Sequence, residues 1–184
     1  LAFLRQEGFP FYRNTDFSFY SPCEEGFERM LKELKKAEKY IFMEYFIIEE
    51  GIMWNSILSI LEEKVKQGVE VRVMYVDMGC LNTLPASYTR QLEKKGIKAV
   101  SFNRISPVIN TIMNHRDHRK ILVIDGKVAF SGGANLADEY INEKVIHGHW
   151  MDNIICVKGN AVWSYLITFL TNWNALRHED EDYT

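Results

Sequence analysis

The chain has 184 residues, 47% of them hydrophobic, enough for one well-buried domain and too few for two comfortable ones. Its formal net charge of -3, from 22 basic and 25 acidic residues, argues against a general polyanion binder: any attraction for phosphate has to be local, and no nucleic-acid partner is expected. No apolar run reaches the length of a membrane span, and no charged segment leads into a signal-type core.

In chain order, strand-like runs are FSFY (17–20), YIFMEYFII (40–48), VEVRVMYV (69–76), IKAVSF (97–102), KILVI (120–124), KVAFS (127–131) and DNIICV (152–157). Helical segments fall between and after them, at 24–39, 52–68, 87–96 and 160–176, and Gly68 and Gly96 stand where two of these should stop. The alternation predicts an α/β fold with a mixed, largely parallel sheet flanked by helices on both faces. The final third departs from it with a hairpin. Residues 1–178 read as a single domain, and 179–184 as an acidic, solvated tail or linker. A first residue other than methionine suggests a segment of a longer protein. Cys23, Cys80 and Cys156 are far apart and near apolar sequence, as expected of reduced, inert thiols in a cytosolic compartment.

The stretch HRKILVIDGKVAFSGGAN (118–135) concentrates the chemistry. Asp-Gly between two apolar runs predicts a type I′ hairpin turn, because both central residues need positive φ. With Asp125 and Gly126 as the turn, Leu122 faces Ala129, Lys120 faces Ser131 and His118 faces Gly133. Alternation then puts His118 and Lys120 on one face. Beside them lies a stretch with no side chains, where backbone N–H groups and the Asn135 amide can approach an anion. An imidazole supplies a nucleophile or base near neutral pH, and an ammonium and an amide stabilise charge on phosphoryl oxygens. Side chains supply the positive charge, so no metal and no cofactor are expected.

His118, Lys120 and Asp125, followed by Gly132, Gly133 and Asn135, resemble the HxKxxxxD motif of the phospholipase D superfamily with its trailing GGxN. EYFIIEEG, VEVRVMYVD, DHRKILVIDGKVAFSGGANLADEYIN and HGHWMDNIICVKGNAVW further resemble the first catalytic half of bacterial cardiolipin synthases. The resemblance implies a phosphatidyltransferase that joins two phosphatidylglycerol molecules into cardiolipin and glycerol, acting at a bacterial cell membrane. It implies His118 as the nucleophile forming a phosphohistidine, with Lys120, Asn135 and Gly133 at the phosphoryl oxygens. Asp152 matches an acidic position that orients the nucleophile through its other ring nitrogen. The family motif counts Asp125 as catalytic, yet the hairpin register sets it about 16 Å from Lys120, which favours a structural task.

Only one such motif is present, where cardiolipin synthases carry two. Implied partners are therefore the phospholipid, a membrane surface, and a second motif from the same parent chain or from a homodimer partner. The alternatives are a self-dimerising phosphodiesterase or nuclease, and an inactive half that only binds phosphate.

Other residues invite a reading. Glu44, a charge inside an apolar strand, either finds a partner or faces the site, where it would stand in the second layer around the motif. Asp77 ends a strand and suits a turn cap. The loop at 103–117 brings Arg104, His115 and Arg116 near the motif. Arg119 should point away from His118 and pair with an acid. Val162, Trp163, Leu166, Phe169, Leu170 and Trp173 form an apolar stripe expected to pack on the core.

Overall fold

The computed structural model describes residues 3, 6–8, 10–102, 117–146 and 148–177. Strands β1 (Thr15–Tyr20), β2 (Tyr40–Tyr45), β3 (Glu70–Val76), β4 (Lys98–Phe102), β5 (Ile121–Ile124), β6 (Val128–Gly132) and β7 (Ile154–Gly159) form one sheet in the order β1-β7-β6-β5-β2-β3-β4. The helices are α1 (Cys23–Leu34), α2 (Ile52–Lys66), the four-residue α3 (Asp77–Cys80), α4 (Tyr88–Lys94) and α5 (Val162–Arg177), with a 3-10 turn at Asp138–Ile141. The Arg104, His115 and Arg116 loop and the acidic stretch from 179 lie outside the described residues.

The sheet is mixed, as expected, but its parallel part is confined to β2, β3 and β4. The pairs β1 with β7, β7 with β6, β6 with β5 and β5 with β2 are antiparallel. Largely parallel is thus an overstatement, and the cause is local. Helices α2 and α4 return the chain for parallel pairing, each followed by a glycine at positive φ (Gly68 +88°, Gly96 +81°) that ends the turn. The Asp-Gly hairpin reverses the chain directly, and β7 and β1 add antiparallel to it.

Both faces are covered. Phe27, Met30 and Leu34 of α1 and Trp54, Ile57 and Leu61 of α2 pack on Ile41, Met43, Leu122 and Phe130. On the other face α5 lays Val162, Leu166, Phe169 and Trp173 on Phe42, Ile121, Val123 and Ala129. Each of these large apolar side chains contributes about 1.5–3 kcal/mol by leaving water. Leu170 packs against this layer half-buried, whereas Trp163 is 41% exposed, off the stripe it was placed in, because its position on the helix looks outward. Arg72 is a buried cation in that layer: its guanidinium lies 5.1 Å from the ring centres of both Phe42 and Trp173 and pairs with Glu70 at 2.9 Å. The three thiols are buried and unbridged, and burial pushes Cys23 to about 12 and Cys80 to about 11.

The hairpin turn forms as read, with positive φ at Asp125 (53°) and Gly126 (64°) and the Lys127 N–H donating to Ile124 O at 3.0 Å. The ladder beyond it is displaced by one residue. Leu122 pairs with Phe130 and Ile124 with Val128, so the expected pairing of Leu122 with Ala129 is corrected. Continued outward, Lys120 stands opposite Gly132 and not Ser131. A two-residue turn alone would set the earlier register. Pairing of β6 with β7, and of β5 with β2, holds Phe130 and Leu122 together on one core face.

Candidate active site

β5 starts where β2 and β6 end and β7 begins, since Glu44 pairs with Ile121 and Gly132 with Ile154. His118 and Lys120 sit just before β5, at this end of the sheet. Lys120 Nζ is 3.0 Å from His118 Nδ1 and donates to the His118 carbonyl at 2.7 Å. Phe46, the first residue after β2, stacks on the imidazole with centroids 4.0 Å apart and planes at 27°. The same ring lies 5.6 Å beneath Lys120 Nζ. Lys120 is buried, and desolvation draws its pKa down against the opposing charges of Asp152 and Asp117.

This geometry has a consequence for the imidazole. When the ammonium donates to Nδ1, the neutral ring carries its proton on Nε2. An anion that draws the ammonium away releases Nδ1, and the other tautomer becomes available.

Asn135 is buried and engaged at both ends, Oδ1 accepting the Ile47 N–H at 3.1 Å and Nδ2 donating to the Tyr140 hydroxyl at 2.7 Å. It thereby holds the strand end that presents Phe46, and its second amide hydrogen is what it can offer an anion. The Gly133 N–H donates to Asn153 O at 3.2 Å, so it completes the sheet and does not point at a bound oxyanion as the sequence suggested. Gly133 serves by its lack of a side chain: a Cβ there would overlap the Asp152 carboxylate. Among the described residues that carboxylate accepts from the Asn153 N–H at 2.7 Å, and its charge acts on Lys120. The resemblance implies a bond from Asp152 to the His118 ring; the contact described at Nδ1 is that of Lys120 Nζ, at 3.0 Å. Gly133→Ala is expected to displace Asp152 and lower turnover by about 10- to 100-fold, with intact circular dichroism; steady-state rates per folded molecule check it.

Asp125 lies at the opposite end of β5. Its carboxylate accepts three backbone N–H groups, from Glu38 (2.8 Å), Lys39 (2.8 Å) and Tyr40 (2.9 Å). The catalytic role that the motif lends Asp125 is not what this placement supports; it pins the hairpin tip to the start of β2. Asp77 opens α3, at the turn assigned to it.

Glu44 faces α5, where Asn172 donates to it, and Arg119 pairs with Asp117 at 3.0 Å, the acid that the sequence left unnamed. Three residues that the sequence reading passed over, Phe46, Asp117 and Asn172, thus touch or support the motif. Asn172 had a signal, a carboxamide within an apolar helix, and Asp117 adjoins the histidine. Nothing local marks Phe46.

A cavity of about 310 Å³ opens beside the motif, lined by His118, Arg119, Lys120, Ser131, Gly132 and Tyr165 among others. Gly133 and Asn135 are not among its described lining residues. Larger hollows, of about 960 Å³ between α1 and α2 and about 650 Å³ at the hairpin tip, do not reach His118 or Lys120. No helix among the described residues is long and apolar enough to cross a membrane.

A solved structure with this fold is that of Nuc, a phospholipase D family member from Salmonella typhimurium, with a TM-score of 0.66 and 17% identity, covering 88% of this chain and 95% of that one. The fold class is that of phospholipase D. The chain belongs to the cardiolipin synthase, phospholipase D-like domain family, whose model matches residues 30–168. It is 53% identical over 177 residues to an uncharacterized protein of Streptococcus mutans, covering 96% of this chain and 38% of that protein. It is 33% identical over 167 residues to cardiolipin synthase 2 of Staphylococcus epidermidis, covering 91% of this chain and 34% of that protein. The chain therefore spans little more than a third of the length of these relatives.

Proposed function

We propose that this chain is one catalytic half of a phosphatidyl-transferring enzyme that makes cardiolipin from two phosphatidylglycerol molecules at a membrane surface. The observation that carries this reading is the His118–Lys120 pair, 3.0 Å apart and among the residues that line a cavity, within a domain of the cardiolipin synthase family.

The reaction runs in two displacements. A ring nitrogen of His118 attacks phosphorus, a P–N bond forms, and the P–O bond to the first glycerol breaks. The departing alkoxide takes a proton from an acid supplied by a second motif, in the remainder of the parent chain. The hydroxyl of a second phosphatidylglycerol then attacks phosphorus, gives up its proton to the same group, and the P–N bond breaks. Lys120, drawn from Nδ1 to a non-bridging oxygen, offsets the charge that builds in both steps, and frees Nδ1 to meet a carboxylate such as Asp152. Phe46 keeps the ring plane fixed and excludes water from one of its faces.

A second reading, in which two copies build a phosphodiesterase, draws on size alone, because this chain covers 95% of the Nuc chain. Incubating the full-length protein and the 184-residue chain with phosphatidylglycerol vesicles and with single-stranded DNA separates the two. Cardiolipin and glycerol should appear with the full-length protein and not with the isolated chain. DNA cleavage by a dimer of the isolated chain, without lipid turnover, would overturn the assignment.

A further inference from the structure

On the α5 side of the sheet lies a polar cluster that phosphoryl chemistry does not itself require. Glu44 is 2% exposed in a strand otherwise made of apolar and aromatic residues. Asn172 Nδ2, from α5, lies 3.1 and 3.3 Å from the two Glu44 oxygens and 3.1 Å from Asp117 Oδ2. Asp117 Oδ2 also accepts Arg119 Nη1 at 3.0 Å, and Asp117 Oδ1 accepts the Arg119 backbone N–H at 3.0 Å.

That last bond closes an Asx turn with His118 as its central residue. One carboxylate therefore grips the chain on both sides of the histidine, and Asn172, Arg119 and Glu44 grip that carboxylate. Two carboxyl groups sharing one amide donor in a buried place do not both ionise cheaply. Burial pushes the Glu44 carboxyl up to about 8, with the hydrogen bond to Asp117 and its charge adding to the rise and Asn172 and Arg119 opposing it. Near neutral pH, Glu44 is thus the proton donor and Asp117 the acceptor.

We infer that Glu44 and Asn172 are positioning residues, acting through the Asp117 turn to fix the backbone and ring orientation of His118. The groups that face Glu44 are Asn172 from α5 and Asp117 and Arg119 from the segment before β5; on β3 the nearest charge on this face is Arg72, which pairs with Glu70 and stacks on Phe42. Above about pH 8 the Glu44 proton leaves, two carboxylates face one another, and the turn that carries His118 loosens. A cluster that only fastened α5 to the sheet would leave the imidazole indifferent to these changes.

The inference rests on the proposed role of His118, so its test includes a readout that does not need turnover. Nitrogen-15 spectra of histidine-labelled protein report the His118 tautomer, the signal being assigned by its loss in His118→Ala. In the wild type, the His118 signals are expected to shift a second time near pH 8. Glu44→Gln, which still donates to Asp117, should retain the neutral-pH spectrum and lose that alkaline step. Glu44→Ala and Asn172→Ala should mix the two tautomers at neutral pH and lower kcat by about 10- to 100-fold, with KM within about threefold of wild type. Asn172→Ala removes an amide at the end of a helix turn and should fold even if Glu44→Ala does not. Unchanged ring signals in folded Asn172→Ala would overturn the inference. An absence of turnover in the wild-type full-length protein would count against the proposed reaction, while the ring signals would still decide this point.

Discussion

His118→Ala in the full-length protein is expected to abolish cardiolipin formation, a fall of at least about four orders of magnitude in kcat. Removing the nucleophile removes the covalent route and not merely a contact. Phosphohistidine is stable to alkali and labile to acid, so a radiolabelled phosphatidylglycerol should leave an alkali-stable label on the wild type and none on the variant. Lys120→Met is a separate measurement. It removes the ammonium that stands 3.0 Å from Nδ1 and 2.7 Å from the His118 carbonyl, and should cost about 100- to 1,000-fold in kcat, the range found for a lost oxyanion donor. A label retained by His118→Ala would mean that another group carries the phosphoryl, and the mechanism would have to be abandoned.

Asp125→Ala should damage stability and spare chemistry. Three N–H groups lose a charged acceptor, two of them near solvent and one half-buried. The φ of 53° becomes the burden of a residue with no local hydrogen bond to justify it. The loss should be about 3 kcal/mol, or roughly 6–12 °C in Tm for a chain of this size. Asp125→Asn keeps the left-handed conformation and one acceptor oxygen, and should recover more than half of that. Turnover per folded molecule in the full-length protein should stay within about twofold for both. Urea unfolding and kinetics below the transition check the two halves of the claim. A large loss of kcat in a fully folded Asp125→Asn protein would return Asp125 to the chemistry.

The contrast between these two ends of one strand shows where sequence reading succeeds. Alternation along β5 and β6 and the Asp-Gly turn are local, so the sequence alone places His118 and Lys120 together and Asp125 apart. The same reasoning located every strand of the sheet, because period-two and helical spacing are properties of adjacent residues. It misjudged how much of the sheet is parallel, since strand direction depends on which neighbour a returning segment meets. It also set the hairpin one residue out of register, as a turn does not know which face its flanking strands will bury.

Local order along the chain was enough to determine the strand and helix segments, the turn and the pairing of an imidazole with an ammonium. Tertiary structure alone decided what stands around them: Phe46 against the ring, Gly133 making room for Asp152, and Glu44, Asp117 and Asn172 meeting across 128 residues of sequence. The physical reason is that these contacts join segments brought together by burying two faces of one sheet. No spacing rule records where α5 will come to rest.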